Sequence, residues 1–328
     1  MKKNIDFLAV GDIVIDNFIE LKQAHLDPEA NELCVKFAQK IPYENAVEVR
    51  AVGNSANAAV GAARLGLKSA LITSVGDDRN GKDCIAVLKK EKVNTKFVNI
   101  DKEGNKTNYH FVLRYGAERT ILIKHAPFKY VLPKNGKGIK WVYFSSVGEH
   151  AIDFHTELVE WLKENPETKL AFQPGTFQIK LGPEKLKHVY QKTELFFCNK
   201  EEAQAILNTQ EDDIKELLKG MHTLGPKMVV ITDGPKGLMG SDGENSYFLP
   251  MYPDPKDPVD RTGAGDATSS TITAMLSYGK EFHEALKYGP VNSMSVVQEI
   301  GAQKGLLVKE KLEEYFESAP SEYEVKKV

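Results

Sequence analysis

Short apolar runs alternate with longer stretches of helical period along the chain. Runs of four to six apolar or β-branched residues, as buried strands have, occupy 7–10, 70–75, 141–145, 169–172, 195–198 and 228–232. Between them lie segments that are rich in alanine or repeat apolar residues at helical spacing: 55–65, 83–92, 154–165, 201–207, 212–224 and 268–278. This alternation predicts βαβ units, and therefore an α/β fold with a mostly parallel central sheet.

Two segments depart from this pattern. Residues 17–50 and 104–126 contain alternating stretches, such as the one from Tyr109 to Tyr115, whose period of two predicts half-exposed antiparallel strands. We interpret them as a small sheet outside the main one that covers part of it; an edge hairpin is the alternative. Neither a low-complexity linker nor an internal repeat divides the chain, so we expect one domain over 1–328. The polar tail, 318–328, is expected to fray.

Composition excludes several classes of protein. The 328 residues include 43 basic and 46 acidic side chains, with 41% hydrophobic residues, as in soluble globular proteins. A net charge of −3 argues against coating of nucleic acid. The apolar run near the N-terminus stops at Gly11 and Asp12, and no stretch approaches the ~18 apolar residues of a membrane span. The three cysteines lack metal or disulfide spacing, so we expect a cytoplasmic protein.

The most informative segment is 260–267, which runs into a helical stretch. Small residues at Gly263, Ala264 and Gly265 leave backbone N–H groups open at the positive end of a helix, so this turn predicts an anion site. Asp266 at such a position is ordinarily a helix cap. Beside a phosphate-sized nest it could instead accept the proton of an attacking hydroxyl group.

Two further segments carry groups suited to hydroxyl binding. Gly53 and Asn57 lie in a small-residue stretch that opens a helix, where a ligand could touch backbone; tight helix packing is the alternative. Asp12 and Asp16 follow the first predicted strand, and α/β proteins bind ligands at the carboxyl ends of their strands. Carboxylates there would accept hydrogen bonds from sugar hydroxyls, whereas solvation at the surface is the competing explanation.

Two turns after predicted strands are candidates for nucleotide chemistry. Asn199 and Glu202 are three residues apart, as a magnesium site with intervening water needs, although a capping box has the same spacing. Gly234 and Gly237 form a glycine turn that suits closure over a nucleotide or a simple reversal. Segment 76–82 has the spacing of a phosphate loop, but Asp83 stands where Ser or Thr must bind magnesium, which excludes that interpretation. The histidines are scattered, and none is predicted to be catalytic.

Taken in order, these segments resemble the ribokinase-like, or PfkB-type, carbohydrate kinase family from Gly11 to about Gly305. Segment 260–266 is similar to the family's DTxGAGD signature, and the glycine-rich substrate motif (52–57), VGxDxxG (75–81), NxxE (199–202) and a late Gly-Ala turn (301–302) accompany it. The resemblance implies a three-layer α/β/α sandwich, with a β-sheet lid formed by 17–50 and 104–126. The chain departs at Val14, where the family often has Asn, and at Arg261, where Thr is more frequent.

The resemblance also implies roles for single residues. Asp266 would be the general base, with Gly263, Ala264 and Gly265 as the anion hole. Asp12, Asp16, Gly53, Asn57 and Glu149 would bind substrate, and Thr232, Gly234, Gly237 and Asn292 would line the nucleotide. Asn199 and Glu202 would hold Mg²⁺ through water, and Asp260 a monovalent cation such as K⁺. Arg114 and Arg119 in the lid could meet a phosphorylated sugar, or be exposed lid charges.

The expected activity is the ATP-dependent, magnesium-requiring phosphorylation of a hydroxymethyl group of a sugar or sugar-like small molecule. A nucleoside kinase of the adenosine or cytidine type is the alternative within the fold. A non-catalytic sugar or nucleotide sensor is the alternative from another class. We expect small-molecule partners, with no nucleic acid and no membrane; a homodimer through the β-lid is compatible with the resemblance.

Overall fold

The computed structural model describes residues 4–116 and 118–328. Its strands, in chain order, are β1 (Ile5–Val10), β2 (Val14–Glu20), β3 (His25–Asp27), β4 (Glu32–Cys34), β5 (Ala46–Val52), β6 (Ser69–Gly76), β7 (Val98–Asp101), β8 (Asn108–Tyr115), β9 (Glu118–Leu122), β10 (Ile139–Phe144), β11 (Lys169–Phe172), β12 (Leu195–Asn199), β13 (Met228–Thr232), β14 (Leu238–Ser241), β15 (Ser246–Leu249) and β16 (Lys326–Lys327). The α-helices are α1 (Asn54–Arg64), α2 (Arg79–Lys90), α3 (Ile152–Glu164), α4 (Thr176–Leu181), α5 (Lys187–Lys192), α6 (Lys200–Leu207), α7 (Ile214–Leu224), α8 (Ala264–Ser277), α9 (Phe282–Leu286), α10 (Gly289–Val296) and α11 (Lys309–Glu317).

The central sheet has ten strands in the order β16-β15-β14-β13-β12-β11-β10-β1-β6-β7. The strands from β13 to β7 pair in parallel, and β14, β15 and β16 add an antiparallel edge. Successive residues of β1 point to opposite faces: Phe7 and Ala9 join one core cluster, and Leu8 and Val10 join the other. Because helices cover both faces, the strand is apolar from Phe7 to Val10. The predicted three-layer α/β/α architecture is confirmed.

The two layers of helices enclose different cores. Residues of α1, α2, α8, α9, α10 and α11 pack with Phe7 and Tyr143 on one face of the sheet. Residues of α3, α5, α6 and α7 pack with Leu8 and Phe144 on the other. The described part of the chain contains no helix with the length and apolar character that crossing a bilayer requires. The cytoplasmic location stays a prediction.

A separate four-stranded sheet has the order β5-β2-β8-β9, and we call it the lid sheet. Residues 11–13 alone separate β2 from β1, so the chain passes directly from the carboxyl end of a central strand into the lid sheet. β2 pairs antiparallel with β5, as predicted, but parallel with β8, so the prediction of antiparallel strands is wrong for this pair. The predicted small sheet is confirmed, and β3 and β4 form a further two-stranded hairpin.

The C-terminal segment is ordered, so the expectation of a frayed tail is wrong. Tyr323 is only 7% exposed, and its ring lies 5.1 Å from that of Tyr252 between centroids. β16 then pairs antiparallel with β15 at the edge of the central sheet. One buried aromatic side chain anchors this polar segment, which composition alone does not reveal.

Candidate active site

A cavity of about 1130 Å³ opens where the carboxyl ends of the parallel strands meet the lid sheet. Residues at the ends of β1, β11, β12 and β13 line one part of it: Asp12, Gln173, Asn199 and Thr232. The lid sheet contributes Asp16, His110 and Arg119. The cavity therefore lies at the edge where the topology of a parallel sheet places ligands.

Asp266 lies buried in the first turn of α8, inside this cavity. Its Oδ2 accepts a hydrogen bond from Asn57 Nδ2 at 2.8 Å, and its Oδ1 accepts one from Gln173 Nε2 at 3.2 Å. Burial raises the pKa of the Asp266 carboxyl to about 6, although hydrogen bonds from the two amides oppose this shift. A carboxylate with such a pKa is suited to accept a proton near neutral pH.

The amide groups beside Asp266 are fixed from behind. Asn57 Oδ1 accepts a hydrogen bond from Gln303 Nε2 at 3.0 Å. Gln173 Oε1 accepts hydrogen bonds from the Tyr143 hydroxyl and from Ser269 Oγ. Because both amide oxygens are engaged elsewhere, both NH₂ groups face the carboxylate, which holds Asp266 in one orientation.

The turn before Asp266 is a cradle of small residues that lines the cavity: Gly263, Ala264 and Gly265. The first N–H groups of a helix lack intrahelical partners and carry a partial positive charge, so this turn suits an anion. Gly263 has φ +86°, and a Cβ there would lie 2.3 Å from Ala302 Cβ. A Cβ at Gly265 would meet nothing closer than Gln173 Nε2, at 3.8 Å. Packing against Ala302 therefore requires glycine at position 263. At position 265 the lack of a side chain keeps the cavity open.

Four of the residues predicted to bind substrate line the same cavity: Asp12, Asp16, Gly53 and Asn57. Asp12 is buried, and its two carboxylate oxygens accept hydrogen bonds from His125 Nδ1 and from the Tyr130 hydroxyl. Asp16 is also buried, and its Oδ1 lies 3.5 Å from His110 Nδ1. We use the name acceptor end for the part of the cavity formed by Asp12, Asp16, His110 and His125, where the predicted substrate-binding carboxylates lie.

Thr232, Gly234, Asn199 and Glu202 lie together in another part of the cavity. Asn199 Oδ1 accepts from the Glu202 N–H at 2.7 Å, and Glu202 Oε2 accepts from the Asn199 N–H at 2.9 Å. The pair therefore forms a capping box, and it also lines the cavity; the magnesium site stays a prediction. Burial raises the pKa of the Glu202 carboxyl.

The Asn199–Glu202 pair fits a magnesium ion that is bound through intervening water and phosphate rather than by a full set of protein ligands. Across the described residues, no group of three or more His, Cys, Asp or Glu side chains is placed to hold a metal by itself. The single side-chain oxygen of Asn199 and one of the two carboxylate oxygens of Glu202 already accept hydrogen bonds in the capping box. A magnesium ion here would take most of its ligands from phosphate and water, which is how this ion commonly binds.

Four predicted residues lie outside the main cavity. Glu149 is exposed beside a smaller cavity of about 430 Å³. Asn292 is buried between Thr271 Oγ1, to which it donates at 2.8 Å, and the Leu307 N–H. Asp260 accepts from the N–H and hydroxyl of Thr262 and from the Gly301 N–H, and Gly237 closes its own turn through a bond from the Asp233 N–H.

Several cavity residues were not predicted. Gln173 directly follows the buried strand β11, so the rule that selected Asp12 would also have found it. His110 and His125 have no local signal, because the fold brings them to Asp16 and Asp12. Of the two lid arginines, Arg119 lines the cavity, whereas Arg114 donates to the Val259 carbonyl at 2.8 Å.

Comparison with known proteins shows similarity over most of the chain. The model of the pfkB family carbohydrate kinases matches residues 9–309. Ribokinase of Bacillus subtilis (strain 168) is 27% identical over 269 residues, which cover 80% of this chain and 86% of the relative.

Solved structures have the same fold. The nucleoside kinase of Methanocaldococcus jannaschii, an archaeal member of the ribokinase family, superposes with a TM-score of 0.75 at 19% identity, over 96% of this chain and 99% of that one. Ribokinase of Arabidopsis thaliana, complexed with ribose and ATP, gives a TM-score of 0.76 at 18% identity, over 94% and 98% of the two chains.

Proposed function

Because the chain belongs to the pfkB family of carbohydrate kinases, we propose that it transfers a phosphoryl group from ATP to a hydroxymethyl group of a sugar or sugar-like small molecule. The observation that carries this proposal is the position of Asp266. Its buried carboxylate stands in the cavity beside the Gly263–Gly265 cradle, held by two amide groups. A base and an anion site are thus adjacent, as transfer to a hydroxyl group needs.

In this mechanism Asp266 accepts the proton of the attacking hydroxyl group as its oxygen bonds to the γ-phosphorus of ATP. The bond from that phosphorus to the bridging oxygen breaks, and ADP leaves with the electron pair. The N–H groups of the cradle stabilise negative charge on the phosphoryl oxygens. Arg119 adds positive charge from the lid sheet, and its field favours the ionised form of Asp266 by opposing the rise in its pKa.

Thr232 and Gly234 would contact the nucleotide. The Asn199–Glu202 pair would bind Mg²⁺ through water, and this ion would neutralise charge on the phosphates of ATP. K⁺ binding near Asp260 and a homodimer through the lid sheet stay predictions. The Asp260 carboxylate already accepts three hydrogen bonds, so a cation there would share its oxygens with the turns at Thr262 and Gly301.

A nucleoside kinase is the second candidate. Its support is the similarity to the fold of an archaeal nucleoside kinase, together with three apolar side chains that line the cavity: Ile121, Ile123 and Phe177. Such a surface suits the faces of a base. A non-catalytic sensor has less support, because a site that only binds ligands needs no buried base beside the anion cradle.

The deciding experiment is a coupled ADP-release assay with ATP, Mg²⁺ and a panel of acceptors: D-ribose, D-fructose, myo-inositol, adenosine and cytidine. Release that depends on a sugar supports the proposal, whereas release with a nucleoside alone selects the second candidate. The Asp266→Asn variant serves as the control for contaminating kinases. Ligand binding by calorimetry without ADP release from any acceptor would contradict both kinase functions and favour a sensor.

A further inference from the structure

We propose that His110 and His125 select the acceptor substrate by accepting hydrogen bonds from two of its hydroxyl groups, a role that rests on the kinase function proposed above. Both histidines line the acceptor end, each is paired with a buried carboxylate, and their rings lie 5.3 Å apart between centroids. The nucleotide residues and the general base are separate groups. The proposal therefore concerns which acceptor binds, and how, rather than the transfer step.

The contact between His125 and Asp12 determines which ring nitrogen of His125 carries the proton. Asp12 Oδ2 meets His125 Nδ1, while Asp12 Oδ1 accepts from the Tyr130 hydroxyl. Since both oxygens of Asp12 have partners within the protein, this residue acts on a substrate through His125. A carboxylate at Nδ1 favours the tautomer with the proton on that atom, which leaves Nε2 as an acceptor. The edge contact with Phe177, at 5.3 Å between centroids, further restrains the ring.

His110 is the stronger indication of a ligand. It lies opposite Asp16 in the β2–β8 register, its side chain is 9% exposed, and its Nδ1 is 3.5 Å from Asp16 Oδ1. Neither His110 Nε2 nor Asp16 Oδ1 has a hydrogen-bond partner among residues 4–116 and 118–328. A buried polar atom without a partner is costly, and proteins keep few of them.

The unpartnered polar atoms at the acceptor end are hydrogen-bond acceptors, so a ligand must supply the hydrogen-bond donors. The contact with Asp12 and the negative charge of Asp16 near His110 favour the proton on Nδ1 of each histidine. Asp16 Oδ1 makes no hydrogen bond to His110, so the acceptor end presents three hydrogen-bond acceptors to a ligand: His110 Nε2, His125 Nε2 and Asp16 Oδ1. Hydroxyl groups supply the matching donors, whereas a carbonyl, an ether or a fluorine cannot donate a hydrogen bond. We therefore expect a polyhydroxylated acceptor, with at least two hydroxyl groups besides the one that is phosphorylated.

The first test uses the unaltered protein. The best acceptor of the panel is compared with analogues in which one hydroxyl group at a time is replaced by hydrogen or by fluorine. At two positions we expect kcat/KM to fall about 10²-fold for both replacements, because fluorine accepts hydrogen bonds but cannot replace a donor. Fluoro analogues within about threefold of the parent at every position would overturn the proposal.

The second test uses two substitutions at one position. His110→Asn keeps an amide nitrogen near the place of Nδ1 and removes Nε2, whereas His110→Gln restores a polar atom near Nε2. We expect His110→Asn to raise the acceptor KM about 10- to 100-fold with the ATP KM unchanged, and His110→Gln to recover part of this loss. His188→Asn in α5, outside the cavity, is the matched control.

A folded His110→Asn variant with an unchanged acceptor KM, or with an equal rise in both KM values, would contradict the role of His110. Thermal unfolding shows whether the variant is folded; if it is not, the analogue series on the unaltered protein decides. Turnover without discrimination among analogues would refute the histidine proposal alone. A failure of turnover with every acceptor would refute the kinase function, and calorimetric binding of the same analogues then tests the histidines separately.

Discussion

Asn57 donates a hydrogen bond from Nδ2 to Asp266 Oδ2 at 2.8 Å, and the two residues are 209 positions apart in the chain. The Asn57 oxygen accepts from Gln303, which faces the NH₂ group toward the carboxylate. A residue predicted to bind hydroxyl groups therefore also positions the proposed base. The acceptor site and the base share a side chain, so disturbance of one is expected to reach the other.

Replacement of Asp266 by Asn tests the base. Asn cannot take up the proton, so we expect turnover to fall about 10²- to 10⁴-fold. Its similar size keeps the cavity, so calorimetry should show ATP and acceptor binding within about threefold of the original protein. Turnover that stays within this range would contradict the role of Asp266.

The pKa of about 6 at Asp266 predicts a pH limb in activity. The base must be ionised, so kcat should fall as the pH drops through about 6. Glu202 is a half-buried carboxyl that also lines the cavity and has a raised pKa, so Glu202→Gln is the control and should retain this limb. A pH profile that is flat down to pH 5, or a limb that disappears in Glu202→Gln, would contradict the assignment.

The same raised pKa predicts how stability changes with pH. Between the ordinary value of 3.8 and about 6, the folded protein holds a proton on Asp266 that the unfolded chain releases, so this group contributes less stability as the pH rises. Asp266→Asn removes this loss. We expect the variant's stability relative to the original protein to improve by on the order of 1–3 kcal/mol between pH 4.5 and pH 7.5, as measured by urea unfolding. No change in this difference would show that the carboxyl titrates normally.

Two glycines of the cradle predict opposite consequences for the same substitution. Gly265→Ala meets only ordinary contacts, so the free energy of unfolding should change by less than about 1 kcal/mol while the added methyl group narrows the anion site and lowers kcat about 10-fold or more. Gly263→Ala places Cβ against Ala302 at a positive φ, so we expect a clear loss of stability. Equal stability of the two variants in urea would contradict this distinction.

Replacement of Asp16 by Ala tests the acceptor end. Asp16 lies in the lid sheet near His110, so its loss should raise the acceptor KM about 10-fold or more and leave the ATP KM within about twofold. The exposed Asp77, outside the cavity, gives the matched control Asp77→Ala. A similar rise in both KM values on loss of Asp16 would show that the two substrates are not bound by separate groups.

Six parallel strands of the central sheet were predictable because each is a short apolar run, and helices with one apolar face separate those runs. β7, β14, β15 and β16 were not predicted, because these short strands have few consecutive apolar residues. Helices α4, α5, α9, α10 and α11 were not identified. α10 is buried almost all round, so it lacks the exposed polar face that marks a surface helix, and the others offer only about one to two and a half turns of pattern. Parallel pairing of β2 with β8 joins segments about ninety residues apart, and no local pattern reports such a contact.

In the candidate site, too, contacts between residues close in sequence were predictable, whereas contacts between distant segments were not. Asp266 and its cradle are contiguous, so the motif predicted their proximity, which the structure reproduces. The contacts of Asp12 with His125 and of Asp16 with His110 depend on strand pairing and loop path, which one sequence does not encode locally. Asn292 and Asp260 have polar side chains that suggested ligands, but their hydrogen bonds lie within the protein and connect segments of its core.

The pairing of β16 with β15 also covers the outer edge of β15, so that this edge cannot pair with a strand of another chain. Without it, the outer edge of β15 would present unpaired backbone groups, which invite strand addition by another chain and lead to aggregation. β16 has only two residues, but both are lysines, and their positive charges disfavour pairing with the same edge of a second copy. A small, charged strand held in place by one tyrosine thus keeps a ten-stranded sheet from growing further.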